Sequence, residues 1–157
     1  MFGFYIKNNI GIGFQTFASG IAFGVGTLFF LIYNGASIGT VAGYLGQFGY
    51  GETFFSFVIG HGAFELTAIV IAGAAGLKLG IALLAPGRKH RLRSLADAAR
   101  VSVRLTYGAA LMLLTAAFIE AYWSSSAAIS APVKFAVGAV LWSAVIVYFI
   151  AGGRRAA

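Results

Sequence analysis

An imidazole and a carboxylate one helical turn apart, His61 and Glu65, stand inside GHGAFELTAIVIAGAAGLKLG (Gly60–Gly80), a segment otherwise apolar enough for hydrocarbon. A second carboxylate, Glu120, stands in another apolar run, LTYGAALMLLTAAFIEAYW. Ionisable groups in hydrocarbon are costly, so their presence asks for a purpose. Three kinds of chemistry suit them. A His–Glu–Glu cluster can lock helices together as a satisfied polar network. It can pass protons or ions, the default reading of intramembrane titratable groups. It can also ligate a metal such as Zn²⁺ through one imidazole and two carboxylates. The metal reading ranks last, because the set holds a single His and the HExxH spacing is absent. No serine–lysine or paired-aspartate arrangement suggests an intramembrane protease. No enzymatic activity and no cofactor is therefore expected.

Helical spacing says where these groups point. Residues three and four apart share a helix face. From His61 and Glu65 that face continues through Ala68, Ala72, Gly76 and Gly80, all small, while Leu66, Ile69, Val70 and Leu77 lie off it. Small residues mark close helix contact in lipid. The pair is thus expected to face protein. The face of Glu120 runs back through Ala116 or Ala117, Leu113, Ala109 and Thr106. Gln15, Thr16, Asn34, Gln47 and Tyr107 are possible further polar partners.

The elements that must position these residues are membrane spans. The chain has 157 residues, 60% hydrophobic and 10% charged, with a mean hydropathy of +0.90. A soluble domain carries about a quarter charged residues. The composition predicts an all-α, polytopic membrane helix bundle forming one transmembrane domain over 1–157. Runs near the required ~20 residues place five spans near 10–32, 36–50, 62–84, 105–123 and 133–150. YNGAS (Tyr33–Ser37) reads as a tight link, and residues 53–60 as a re-entrant or interfacial half-helix. There is no cysteine, so disulfides and thiolate metal sites are absent.

The net charge of +7 is concentrated: Arg88, Lys89, Arg91, Arg93, Arg100 and Arg104 supply six of the eleven basic side chains. No aromatic or motif pattern accompanies them, which speaks against nucleic acid. Beside membrane spans such a run is a cytoplasmic loop. Leu92, Leu95, Ala99 and Val103 recur at helical spacing, so 88–104 reads as an amphipathic surface helix offering a dock for anionic lipid or partners. Alternating spans then place the C-terminal tail, with Arg154 and Arg155, in the cytoplasm and the N-terminus outside. No signal peptide is legible in MFGFYIKNN, and an external start fits a longer form with one more span upstream.

Glycine patterns point to close packing. Gly20 and Gly24 form GxxxG in the first expected span; Gly39, Gly43 and Gly46 share a face of the second; Gly73, Gly76 and Gly80 mark the third. These are expected to be helix–helix contacts.

GHGAFELTAIVIAGAAGLKLG, together with FGFYIKNNIGIGFQTFASG, LFFLIYNG, VAGYLGQFGYG, ALLAPGR, RLTYGAALMLLTAAFIEAYWS and VKFAVGA, resembles the stage II sporulation protein M family, in the version found in non-sporulating Gram-negative bacteria. The likeness covers nearly the whole chain. It implies a multi-pass inner-membrane protein of no established enzymatic activity. It implies partners too: by the family's usual neighbours, a MoxR-type AAA ATPase and RDD-type membrane proteins. Membrane lipids, other membrane-protein subunits and copies of the chain itself are the further partners expected of such a bundle. The family's polar positions correspond to Asn8, Asn9, Gln15, Asn34, His61, Glu65 and Glu120. Longer relatives carry a cytoplasmic region and a further span before FGFYIKNN. The expected role is a scaffold subunit of an inner-membrane complex; the alternative is a small proton- or ion-coupled transporter or channel using the same cluster.

Overall fold

The computed structural model describes residues 2–154, and of Arg154 the backbone alone; Arg155, part of the expected basic tail, lies outside the described residues. Five α-helices account for nearly all of it: α1 (Phe2–Ala18), α2 (Val25–Gln47), α3 (Gly51–Leu84), α4 (Arg91–Ile119) and α5 (Ala131–Arg154). A 3₁₀ turn, Ser19–Ile21, follows α1, and a π-helical turn, Glu120–Ser124, extends α4. No strand occurs among the described residues. α2, α3, α5 and the continuous helix Arg91–Ser124 are each long and apolar enough to cross a membrane. The protein is an all-α membrane helix bundle, with α3 at its centre packed against every other helix.

Two expected boundaries move. Residues 10–32 do not form one helix. The chain breaks at Ser19–Gly24, where Phe23 (φ 52°) and Gly24 (φ 83°) take left-handed backbone conformations that end helical hydrogen bonding. Tyr33–Ser37, expected as a link, is helical within α2. Its Asn34 side chain donates to Phe30 O at 2.7 Å, turning back onto its own helix rather than opening a turn. The first reversal therefore lies about four helical turns earlier than the turn-like residues suggested. α1 and α2 run antiparallel, as the first two expected spans did. At 17 residues, however, α1 is too short to count as a span, so among the described residues four helices and not five are long and apolar enough to cross.

Two further segments lose their separate identity. Residues 53–60 are the first turns of α3, with no break before Gly62. The basic segment 88–104 is split: Arg88 and Lys89 lie in a short turn set by Pro86 and Gly87 (φ 64°), while Arg91 to Arg104 form the start of α4 itself. No proline interrupts Arg91–Ile119, so the amphipathic helix and the fourth span are one element.

Glycine decides the packing at the basic end. Gly20 lies against the Gly76 backbone and Gly24 against Gly80, so that a Cβ on Gly20, Gly76 or Gly80 collides with main chain. Gly73 receives Leu31 of α2. Between these contacts Thr27 Oγ1 donates to Thr16 O at 2.7 Å, both residues being fully buried. Ser102 Oγ on α4 donates to Ala75 O on α3 at 3.0 Å, also fully buried. Carbonyls that already serve their own helices thus accept second bonds, which suits apolar surroundings. Ala68, Ile69, Ala72, Ala109 and Leu113 form the mid-bundle core where α3 meets α4. The expected role of Gly39, Gly43 and Gly46 fails within this chain: nothing lies within 4 Å of a Cβ built on any of them.

Candidate functional site: a His–Glu–Glu cluster beneath a cavity

The cluster lies at the end of the bundle away from the basic segment Arg88–Arg100. The nineteen steps from Glu65 to Leu84 along α3 rise about 28 Å, close to the ~30 Å hydrocarbon thickness. With Leu84 at one membrane boundary, Glu65 sits near the other. The first turns of α3 and the last turns of α2 extend past it.

Three elements meet there. α3 carries His61 and Glu65 on the small-residue face. The π turn at the end of α4 carries Glu120 and Ser124. α1 carries Asn8 and Asn9. The π turn packs on α3 at Gly60, where a Cβ would meet Ile119, Trp123 and Ser124 at 3.6–3.8 Å, in ordinary van der Waals contact. Ser125 N bonds Glu120 O at 3.2 Å, an i→i+5 bond that widens the helix by one residue. Such π turns recur at functional sites because they re-aim side chains. Here the turn directs Glu120 and Ser124 at the same partner helix.

The structure brings one ligand-type atom from each of His61, Glu65 and Glu120 within 4.8 Å of one another. His61 Nε2 and Glu65 Oε2 are 3.7 Å apart, within ion-pair reach but beyond a hydrogen bond. His61 Nδ1 and Ser124 Oγ are hydrogen-bonded at 3.0 Å. Asn9 Nδ2 donates to Glu120 Oε2 at 3.3 Å, and Asn8 Nδ2 donates to Asn9 Oδ1 at 3.2 Å. His61 and Asn9 are buried, while Glu65 and Glu120 are partly so. On the far side, Lys134 Nζ of α5 donates to Ser124 O at 2.8 Å. The Trp123 indole N–H beside this network is buried without a hydrogen-bond partner among the described residues.

The cluster is not sealed. A cavity of about 290 Å³ opens over it, lined by His61, Glu65, Glu120, Asn8 and Asn9 and walled by apolar side chains of α2 and α3 such as Val41 and Phe57. The arrangement can hold a proton between carboxylates, bind a cation, or tie three elements together.

Of the other polar candidates, none joins the cluster. Gln15, Gln47 and Tyr107 lie on exposed faces. Asn34 spends its amide on Phe30 O. Thr16 lies near the basic end with Thr27. Reading the sequence missed Ser124 and Lys134, though both left a signal. Ser124 follows Glu120 by four residues, and Lys134 is a lone cation in an apolar run. The six basic residues are all exposed. Arg104, two residues past the Ser102 that bonds Ala75 O, stands near mid-bundle, whereas Arg88, Lys89, Arg91, Arg93 and Arg100 lie at the opposite end. There Lys89 pairs with Asp97 at 2.7 Å, and Arg93 approaches the same carboxylate at 3.7 Å. Arg104 stands at a second, larger groove of about 480 Å³ between α4 and α5, walled by Leu105, Met112, Val145 and Phe149.

No solved structure matches the chain. Among curated proteins it is 28% identical over 120 residues to the uncharacterized protein MJ0793 of Methanocaldococcus jannaschii, covering 74% of this chain and 67% of that one. The sequence model for stage II sporulation protein M matches residues 1–125, a stretch that contains α1 to α4 and every residue of the His–Glu–Glu cluster, and the chain belongs to that family.

Proposed function

We propose that this membrane protein is a non-enzymatic structural subunit of a bacterial inner-membrane complex, with its basic end and its C-terminus in the cytoplasm. One observation carries the reading. α2 crosses the membrane almost uncovered by its own chain, and Gly35, Gly39 and Gly43, at four-residue spacing, have open space before them. Within the same chain, glycines at that spacing on α3 are in backbone contact with a neighbour. A glycine face of this kind suits another helix far better than lipid, because only close backbone approach gains from the missing side chains. Exposed Tyr44 and Phe48 continue the surface beyond the cluster end. The basic end suits anionic headgroups or an acidic cytoplasmic partner, and the family's usual company makes MoxR-type ATPases and RDD-type membrane proteins the partners to seek.

The test is gentle extraction from native membranes followed by size measurement and native mass spectrometry, comparing wild type with Gly39→Ile/Gly43→Ile. Wild type should run as a larger assembly, of copies or of different subunits, and the double variant as a folded single chain. A wild-type chain that runs alone from native membranes refutes the proposal.

A second reading is favoured by the cavity over His61, Glu65 and Glu120. A lock needs a dry, fully paired cluster, whereas a proton or ion route needs open access from one side. The 290 Å³ space supplies such access. Reconstituted wild type that carries a proton or cation current, lost in Glu65→Gln with assembly intact, decides for this reading.

A further inference from the structure

We infer that His61, Glu65 and Glu120 form a binding site for a first-row divalent cation of the Zn²⁺ or Mn²⁺ type, with the adjoining cavity supplying open coordination positions. The inference stands apart from the scaffold reading, since a cation can be held with or without docked partners.

Three independent features point to a ligand. The first is the donor set. One imidazole nitrogen and two carboxylate oxygens, from two elements, come within 4.8 Å of one another. Tetrahedral Zn²⁺ with bonds of about 2.0–2.2 Å separates its ligands by about 3.4 Å. Closing the longest gap takes little more than rotation of the two Glu side chains.

The second feature is the aim of His61. The residue is 4% exposed. Its Nδ1 is occupied by Ser124 Oγ at 3.0 Å. Its Nε2 faces Glu65 Oε2 at 3.7 Å, beyond a hydrogen bond, and has no hydrogen-bond partner among the described residues. A buried imidazole fixed by one nitrogen and presenting the other is how proteins orient a ligating His. Asn9 does the equivalent for Glu120, donating to Oε2. When Nδ1–H donates to Ser124, the Nε2 lone pair is left for a metal.

The third feature is charge. The polar groups around the two carboxylates are Asn8 and Asn9 of α1, Ser37 of α2, His61 of α3 and Ser124 of the π turn. None is a fixed cation. Lys134, the nearest buried ammonium, is given to Ser124 O. Two carboxylates beside an apolar wall call for positive charge, and a dication balances both. The donor set also selects among ions. Ca²⁺ takes six to eight oxygens, and Mg²⁺ seldom uses imidazole, whereas one nitrogen with two oxygens suits Zn²⁺ or Mn²⁺.

The experiment uses the full chain purified in mild detergent, stripped with a chelator, then offered Zn²⁺, Mn²⁺, Mg²⁺ or Ca²⁺ separately and passed through gel filtration. Elemental analysis and the thermal unfolding midpoint are read for each. Wild type should retain about one Zn²⁺ or Mn²⁺ per chain and melt higher with it, and show neither effect with Mg²⁺ or Ca²⁺ at the same concentration. His61→Ala and Glu65→Gln/Glu120→Gln should lose retention, while His90→Ala, removing the only other imidazole, should not. Ser124→Ala leaves all three ligands in place and should weaken binding by about tenfold or more; it keeps the test alive where the ligand variants misfold. Wild type that retains no Zn²⁺ or Mn²⁺, or Ser124→Ala and Glu65→Gln/Glu120→Gln chains that bind as wild type does, overturns the inference.

Discussion

Adding one methyl group at Gly76 separates the packing described here from a loosely assembled bundle. A Cβ at Gly76 would press on the Thr27 hydroxyl and stand 2.8 Å from Phe17 O and 2.9 Å from Thr16 O. The two carbonyls belong to backbone and cannot swing aside. Three terms set the size of the effect. Ala gains about 1 kcal/mol over Gly in helix propensity. Overpacking a tight contact costs about 1–3 kcal/mol. Displacing Thr27 forfeits its bond to Thr16 O, about 0.6 kcal/mol for a membrane helix pair. The net expectation is a loss of about 0.6–2.6 kcal/mol, by those same magnitudes. Gly39→Ala provides the control. It makes the same chemical change in a helix interior, but with nothing within 4 Å of the new methyl. It should be neutral or slightly stabilising for the isolated chain. Reversible unfolding in mixed micelles, followed by circular dichroism, measures both. Gly76→Ala as stable as Gly39→Ala would refute the backbone contact between α3 and the α1–α2 reversal.

Other perturbations test other parts of the structure. Thr27→Val keeps the volume and removes the bond to Thr16 O, so it should cost about 0.6 kcal/mol and no more than about 1.7 in the same unfolding assay. Glu65→Gln should lower assembly size on gel filtration more than it changes any ion flux in liposomes; a correctly assembled variant with a lost flux favours the transport reading. Neutralising Arg88, Arg91, Arg93 and Arg100 together should reduce co-purifying anionic phospholipid, by up to about 1 kcal/mol of attraction per charge. Retention unchanged after four substitutions, read by lipid mass spectrometry, removes the basic end as a lipid dock.

Much of this bundle was legible because hydrocarbon admits few solutions. The face His61, Glu65, Ala68, Ala72, Gly76, Gly80 is turned into protein as its spacing predicts, Glu65 only partly so. Ile69, expected off that face, is buried in the core as well, because α3 is central and packed on several sides. What the sequence misplaced was a turn. Asn, Gly and Ser in YNGAS are turn formers in water, where a broken backbone bond is taken up by solvent. In lipid the backbone must stay bonded, and Asn34 can satisfy itself on Phe30 O without leaving the helix. The reversal falls instead at Ser19–Gly24, where Ala22 N bonds Ser19 O, Gly24 N bonds Gly20 O and Val25 N bonds Ala22 O, so the turn keeps its backbone bonded. Only glycine fits there: Gly20 and Gly24 meet Gly76 and Gly80 main chain to main chain. The pattern GxxxG was read as a mid-span contact, yet it marks the place where the chain turns round on another helix. Small residues signal close approach and do not say whether a helix continues through it.

The cluster was legible for a different reason and incomplete for a related one. Counting residues outward from the basic end puts His61, Glu65 and Glu120 at one depth, because regular helices convert sequence distance into height. The same regularity hid Ser124. On an ideal α-helix, a residue four beyond Glu120 lies on its face but rotated by some tens of degrees. The π turn absorbs one extra residue between Glu120 and Ser125, and with it the hydroxyl reaches His61 Nδ1. That insertion has no sequence marker of its own: EAYWS contains no proline or glycine. Its cause is tertiary. Lys134 of α5 holds the Ser124 carbonyl at 2.8 Å. The orientation of the imidazole thus depends on a lysine ten residues past the serine that holds it. Lys134→Met, which keeps the length and removes the ammonium, should let the turn relax to α-helix and release His61 from Ser124. A change in the His61 ring resonances by NMR, with helix content unchanged by circular dichroism, is the expected result; identical ring resonances in the two proteins would show that the π turn stands without α5.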